Sequence, residues 1–304
     1  MMQKIKFFFK KLLRENFFLS ILYSKLSILF SFFYDGFLCR ILKYDTYWLH
    51  DCSFGFIPYW HLVFRPEQKF SETTLVFFSK YIPKKGDIVL ELGAGIGNET
   101  LVLSKLVGMS GKIISLEPHP KIFDYLLKTL SFNKLMNVNP ENKALSYSGK
   151  KLSFSDIGEN WLRNKISENG PVSIETTTIE DLFDKYNIET INFLKCNIEG
   201  AEIELLKIEQ NNLKKIKNIC IECHDFLDSD DHNLNTYNSI KLFFENNGFK
   251  IYEDYKKHNT YPHQNYYIYA SKERETDVDD YFYLRDKLDY VSFNKILRNI
   301  IKTR

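Results

Sequence analysis

The period of apolar and polar positions changes along the chain, and the changes mark out its elements. Residues 17–33 are apolar apart from Lys25 and the serines at 20, 24, 27 and 31. Steps of four, three and four put those serines on one side of a helix as a polar stripe. Beyond residue 50, short β-rich runs alternate with helical periodicity, the texture of a parallel sheet with crossover helices. Strands are expected at 87–92, 112–116, 138–145, 172–178, 191–196, 219–223, 249–255 and 266–270, and helices at 98–107, 121–133, 179–186, 201–210 and 236–247. Pro140 marks the third strand as an edge or a bulge. Thr178 caps the helix that follows it, with Asp181 at the third helical position, and Gly248 supplies a left-handed helix stop. Residues 146–175 hold three glycines, Pro171 and a short hairpin at 151–154, and so read as an insertion rather than a plain crossover. The last two strands close the sheet as an adjacent pair. The plan is an apolar, basic, helical extension over 1–70, one α/β domain over 71–271 and a terminal helix within 272–304.

Composition narrows the class of protein. The 304 residues are 44% apolar and 26% charged, with a formal net charge of +2, so the chain lacks the basic field of a nucleic-acid binder. Cys39, Cys52, Cys196, Cys220 and Cys223 are too sparse and odd a set for a disulfide framework, which implies a reducing, cytoplasmic compartment. The charge is uneven: the first 50 residues carry eight basic and three acidic side chains, +5, leaving −3 for the rest. No small-residue cleavage site follows this stretch, and it lacks the ~20 uninterrupted apolar residues of a membrane span. Two readings stand for residues 1–45, an amphipathic helix docked peripherally on an anionic membrane or partner, and an appendage packed on the main domain.

The sharpest chemical signal is ELGAGIGN at Glu91–Asn98, between a strand end and a helix start. Gly93, Gly95 and Gly97 allow a tight turn and close approach of a ligand to the helix amino terminus. In the dinucleotide fingerprint the third glycine comes three residues after the second; here it comes two after, and Asn98 stands in the dinucleotide position. Glu117 closes the second strand, where a carboxylate can accept both ribose hydroxyls of a nucleoside. His119 covers an adenosine edge or is exposed, and Trp161 is a platform for a sugar face or local packing. Glu222 and His224 point to one face at the end of the fifth strand. Cys220 and Cys223 face opposite sides of that strand with no second ligand pair, so no metal site is expected.

These motifs resemble the FkbM-like family of class I methyltransferases. GDIVLELGAGIGNET, ENKALSYSGKKLSF, TTTIEDLF, INFLKCNIEGAEIELLK and NICIECH follow in the family's order over roughly residues 83–271. The resemblance implies an α/β, Rossmann-like sheet of seven mostly parallel strands. It also implies methyl transfer from S-adenosylmethionine to a hydroxyl of a glycan or small-molecule natural product. It places the cofactor along Glu91, Gly93, Ala94, Gly95, Gly97, Glu117, Pro118, His119 and Ala144, and the acceptor chemistry at Asn197, Glu199 and His224. Asn197 departs from the family's Asp and cannot carry charge or act as a base, which leaves Glu199 or His224 for proton acceptance. Glu91 in place of Asp and Gly95 where Asn is frequent are milder changes. Two rivals are a nicotinamide-dependent oxidoreductase, against which the glycine spacing speaks, and a weakened cofactor-binding interaction module, which Asn197 and the apolar extension motivate.

Overall fold

The chain is built around a seven-stranded sheet, and the computed structural model describes residues 12, 16–35, 39–148, 152–154, 166–167, 170–225, 236–252, 266–273 and 290–303. At the amino end lie α1 (Phe17–Asp35), the strands β1 (Arg40–Lys43), β2 (Trp48–Cys52) and β3 (Gly55–Tyr59), and α2 (Pro66–Phe78). The three strands form an antiparallel meander, which corrects the expectation of helix alone through residue 70. Ile41, Leu49 and Ile57 are buried in it. His50 fixes its closing edge, with Nδ1 3.1 Å from the Ile57 carbonyl and Nε2 accepting the Val63 amide at 3.2 Å. Burial lowers the His50 pKa to about 4, so this ring is a neutral structural group.

The α/β unit follows as β4 (Ile88–Leu92), α3 (Asn98–Val107), β5 (Lys112–Leu116), α4 (Pro120–Asn133), β6 (Val138–Glu141), β7 (Lys143–Leu145), β8 (Leu152–Phe154), β9 (Ile166–Ser167), β10 (Val172–Thr177) and α5 (Ile179–Tyr186). Then come β11 (Ile191–Cys196), a 3₁₀ turn at Glu202–Lys207, α6 (Gln210–Leu213), β12 (Ile216–Glu222), α7 (Tyr237–Asn246), β13 (Lys250–Tyr252), β14 (Tyr267–Ser271) and α8 (Tyr290–Thr303). The main sheet runs β6-β5-β4-β11-β12-β14-β13. The five strands β6, β5, β4, β11 and β12 are mutually parallel, whereas β14 is antiparallel to both of its neighbours. This is the doubly wound α/β arrangement expected, with its strand order reversing between β4 and β11.

Alternation along the central strands divides the core in two. Val89, Ile113, Phe193 and Cys220 pack with the meander and α2, α3 and α4. Leu90, Ile114, Leu194, Ile219 and Ile221 pack with α5 and α7 on the other face. Helix α5 opens on the predicted capping box, with Thr178 and Asp181 bonded reciprocally. Two expected elements are corrected. Residues 138–145 are two strands: β6 takes the sheet edge, as Pro140 requires, and β7 leaves for a second sheet ordered β7-β10-β8-β9. The helix expected over 201–210 is a 3₁₀ turn that breaks at Ile208 into extended backbone before α6. Its first residue, Glu202, is fully buried and held by tertiary partners, which override helical propensity. Trp161 lies outside the described residues.

Candidate active site

The loops after β4 and β11 diverge at the reversal of strand order, and the site is built there. Register pairs Lys195 on β11 with Glu91 on β4, and Glu91 with Ser115 on β5. Alternation therefore gathers three polar side chains in one row on an otherwise apolar face. Glu91 has no exposed surface and accepts hydrogen bonds from Thr100 at 2.6 Å and Ser115 at 2.7 Å. Burial raises its carboxyl above the ordinary range, against the opposing pull of Lys195 and the two hydroxyls. Lys195 Nζ stands 4.0 Å from Glu91 and donates to the Gly93 carbonyl at 2.7 Å. This buried lysine ties the glycine loop to the neighbouring strand. Glu91 thus braces the loop from beneath, buried among Thr100, Ser115 and Lys195. Sequence reading placed the segment 195–199 near the cofactor without giving Lys195 a role, and the signal for its bracing role is a cation inside a strand covered on both faces.

The glycines divide the work of the loop. A Cβ on Gly93 would stand 1.7 Å from the Asn197 carbonyl oxygen, so this glycine lets the two loops meet. At Gly95, with φ of +56°, a Cβ would meet nothing within 4 Å, so the backbone there is open to a ligand. Gly97 packs on α4, where a Cβ would lie 2.8 Å from Leu126. Ala94 turns its methyl into the core and offers only backbone.

Glu117 faces the loop across a short gap. Its two oxygens accept the amides of Gly95 and His119, both at 2.9 Å. Burial pushes its carboxyl up to about 7, even against those two hydrogen bonds and the charge of Lys195. His119 caps α4 with its ring buried. Gly93, Pro118, Ala144 and Glu199 line a cleft of about 410 Å³, together with Leu92, Leu116, Lys143, Leu145, Ile198 and Ala201.

Beyond β11 the backbone carries strain at Glu199, a non-glycine residue with φ of +52°. Its side chain is 34% exposed, and its carboxylate lies 3.4 Å from His224 Nε2. His224 Nδ1 is 2.7 Å from Glu202, which also accepts the Gly200 amide. Burial alone would lower the His224 pKa, but hydrogen bonds to Glu199 and Glu202 reverse this and push it up to about 10. The ring is therefore an imidazolium near neutral pH, behind Glu199 rather than on the cleft wall. That arrangement favours Glu199 over His224 as the group facing the cleft. Asn197 donates its backbone amide to the Leu92 carbonyl at 3.0 Å, while its side-chain oxygen is buried and accepts no hydrogen bond from the described residues. Glu222 lies nearby with Tyr267 as a hydrogen-bond partner, and burial pushes its carboxyl up to about 7. Among the described residues no cluster of three or more His, Cys, Asp or Glu side chains could hold a metal ion.

The chain is similar to several known proteins. The chain is 28% identical over 150 residues to the hexuronic acid methyltransferase AglP of Haloferax volcanii, a match covering 49% of this chain and 60% of that protein. It is 25% identical over 169 residues to the methyltransferase sdnD of Sordaria araneosa, covering 44% of this chain and 65% of the other. The matches thus span less than two thirds of either relative. A solved structure of fibrillarin from Aeropyrum pernix with S-adenosyl-L-methionine bound aligns with 76% of this chain and 97% of its own, at 15% identity and a TM-score of 0.41. The sequence model of the methyltransferase FkbM domain matches residues 91–251. That segment is more than half of the chain and holds the glycine loop, Glu117, Lys195 and the Glu199–His224 group, and the chain accordingly belongs to the FkbM methyltransferase family.

Proposed function

We propose that the chain transfers a methyl group from S-adenosylmethionine to a hydroxyl of a sugar or a related natural product. The observation that carries this reading is the open backbone at Gly95, whose amide Glu117 accepts, on the loop whose Gly93 lines the cleft. Gly93, Gly95 and the Gly95 side of Glu117 would hold the nucleoside, with Glu117 accepting its ribose hydroxyls. Pro118 and Ala144 would flank it from the cleft walls. Bound S-adenosylmethionine supplies an electrophilic methyl on sulfur; as the carbon–oxygen bond to the acceptor forms, the carbon–sulfur bond breaks and S-adenosylhomocysteine remains.

The hydroxyl must lose its proton, and Glu199 is the carboxylate on the cleft wall for that role. His224 holds Glu199 in place as a cation and keeps its own proton. The neutral Asn197 orients rather than deprotonates. Family membership and the likeness to a hexuronic acid methyltransferase support a carbohydrate acceptor. Calorimetry with S-adenosylhomocysteine, followed by mass analysis of uronic acid and neutral sugar acceptors after incubation with the cofactor, tests both halves. Binding without a mass gain of one methyl on any acceptor would favour a cofactor-binding interaction module. Absence of binding would remove the reading altogether.

A further inference from the structure

Helix α1 presents the reverse of the face that its polar stripe suggests. Ser20, Ser24, Ser27 and Ser31 are buried. Each returns its hydroxyl to the carbonyl three residues earlier, at 2.7, 2.7, 2.6 and 3.1 Å in that order. Ser31 also accepts the Cys39 amide at 2.8 Å, which fastens the helix to the start of β1. Tyr23 packs on Phe64 with ring centroids 4.9 Å apart. The serines are therefore the inner seam of the helix.

The outer face is apolar. Phe18, Leu22, Leu26, Leu29 and Phe33 recur at steps of four, four, three and four, and all are exposed, Phe18 by 83% and Phe33 by 78%. Contiguous exposed stripes of this kind mark interaction surfaces. No described helix is long and apolar enough to cross a membrane, and α1, with 19 residues, is about 28 Å long.

We infer that this face docks on the surface of an anionic lipid bilayer, with α1 lying in the plane of the interface. Charge selects the occupant. Lys25 is exposed on α1, and the sequence before the helix carries Lys4, Lys6, Lys10, Lys11 and Arg14; across residues 1–35 six basic side chains face only two acidic ones, Glu15 and Asp35. An apolar helical face with basic flanks is the pattern of interfacial helices, and anionic headgroups attract the basic flank. A second copy of the chain would instead oppose two basic segments, which repel.

The test uses the full chain, cosedimented with vesicles of mixed phosphatidylglycerol and phosphatidylcholine and with vesicles of phosphatidylcholine alone. Binding is expected to the anionic vesicles, at least about tenfold weaker to the neutral ones, and reduced by added salt. The double variant Phe18→Ser, Phe33→Ser should lower partition to the anionic vesicles by about tenfold or more, because two exposed rings no longer enter the interface. Its melting temperature should match the parent's, since both rings lie outside the core. Absence of sedimentation with the anionic vesicles, or equal partition of parent and variant, overturns the inference. A lipid-free dimer seen by light scattering and abolished by the double variant also overturns it, in favour of a second copy as the occupant.

Discussion

Glu117 offers the sharpest test of the cofactor assignment, because the same environment that suits it to ribose also makes it titrate near neutrality. Its carboxyl is raised from 4.5 to about 7 by burial. Ribose hydroxyls donate to the ionised form, so bound cofactor must hold Glu117 as a carboxylate. Below pH 7 binding then releases a proton, and affinity falls by up to tenfold per pH unit. Between pH 7.5 and 5.5 the protonated fraction rises enough to weaken S-adenosylhomocysteine binding by about 25-fold. For the stability of the fold without cofactor the sign is opposite: a carboxyl with a raised pKa contributes fully below pH 4.5 and loses that contribution as pH climbs through about 7. The total is about 3 kcal/mol, from 2.5 units at 1.36 kcal/mol each. Bound cofactor should therefore raise the melting temperature more at pH 8 than at pH 5.5. Glu117→Gln removes the charge and turns an amide donor toward the Gly95 or His119 amide, at a cost of about 1.5–3 kcal/mol, or roughly 10- to 150-fold in affinity at pH 7.5. Calorimetry across the pH range, in buffers of different ionisation enthalpy, reads both affinity and proton release. Parental affinity in the glutamine variant, or the same pH slope in parent and variant, would refute the assignment.

Three further perturbations separate bracing from chemistry. Gly93→Ala drives a Cβ into the Asn197 carbonyl and should lower the melting temperature by several degrees or prevent folding, whereas Gly95→Ala should fold and lose cofactor affinity; calorimetry and thermal melts on both that fail to show this contrast would reassign the loop. His224→Ala leaves the fully buried Glu202 without its cation and should cost about 3–5 kcal/mol near pH 7. Since His224 titrates near 10 rather than 6.5, that stabilisation is complete below pH 6.5 and fades as pH rises through 10, so melts of parent and variant should converge at alkaline pH. Glu199→Gln should lower turnover by about 10² or more with cofactor affinity unchanged, and Asn197→Asp should keep or raise turnover; an unaffected Glu199→Gln enzyme would move the proton acceptor elsewhere.

Much of the sheet was legible because its strands are short, buried runs bounded by turn residues. Residues 98–107, 112–116 and 191–196 fall on α3, β5 and β11 as read. The failures share a cause in tertiary contacts that local pattern does not record. Residues 40–59 look like a continuation of an apolar helical segment until His50 is seen bridging Ile57 and Val63. The stretch 201–210 has helical periodicity, but Glu202 is tied to His224 and Gly200, and the backbone follows the carboxylate instead. The serine stripe of α1 was correctly placed on one face, yet its direction was invisible. Serine hydroxyls that bond their own helix can be buried without a partner elsewhere, so a polar stripe does not by itself point to water.

The same distinction governs the site. Sequence spacing brought Gly93 and Glu199 to one cleft, with Gly95 bonded to Glu117 on the same loop, because the segments that carry them follow the carboxyl ends of neighbouring parallel strands. It could not tell which polar residues face the crevice and which hold it up. Glu91 and Lys195 alternate onto the buried face of their strands, so their charges act on the loop from beneath. His224 meets two carboxylates across a gap of more than twenty residues in sequence, and that meeting fixes its proton. Of the expected proton acceptors, Glu199 is the carboxylate that lines the cleft with an exposed edge, held from behind by His224. An enzyme built this way relies on alignment more than on base strength, since near-attack positioning can supply ~7–11 kcal/mol against the 10² to 10⁴ in rate typical of one base. A neutral Asn197 is compatible with that division, because the position meets the glycine loop through its backbone whatever its side chain carries.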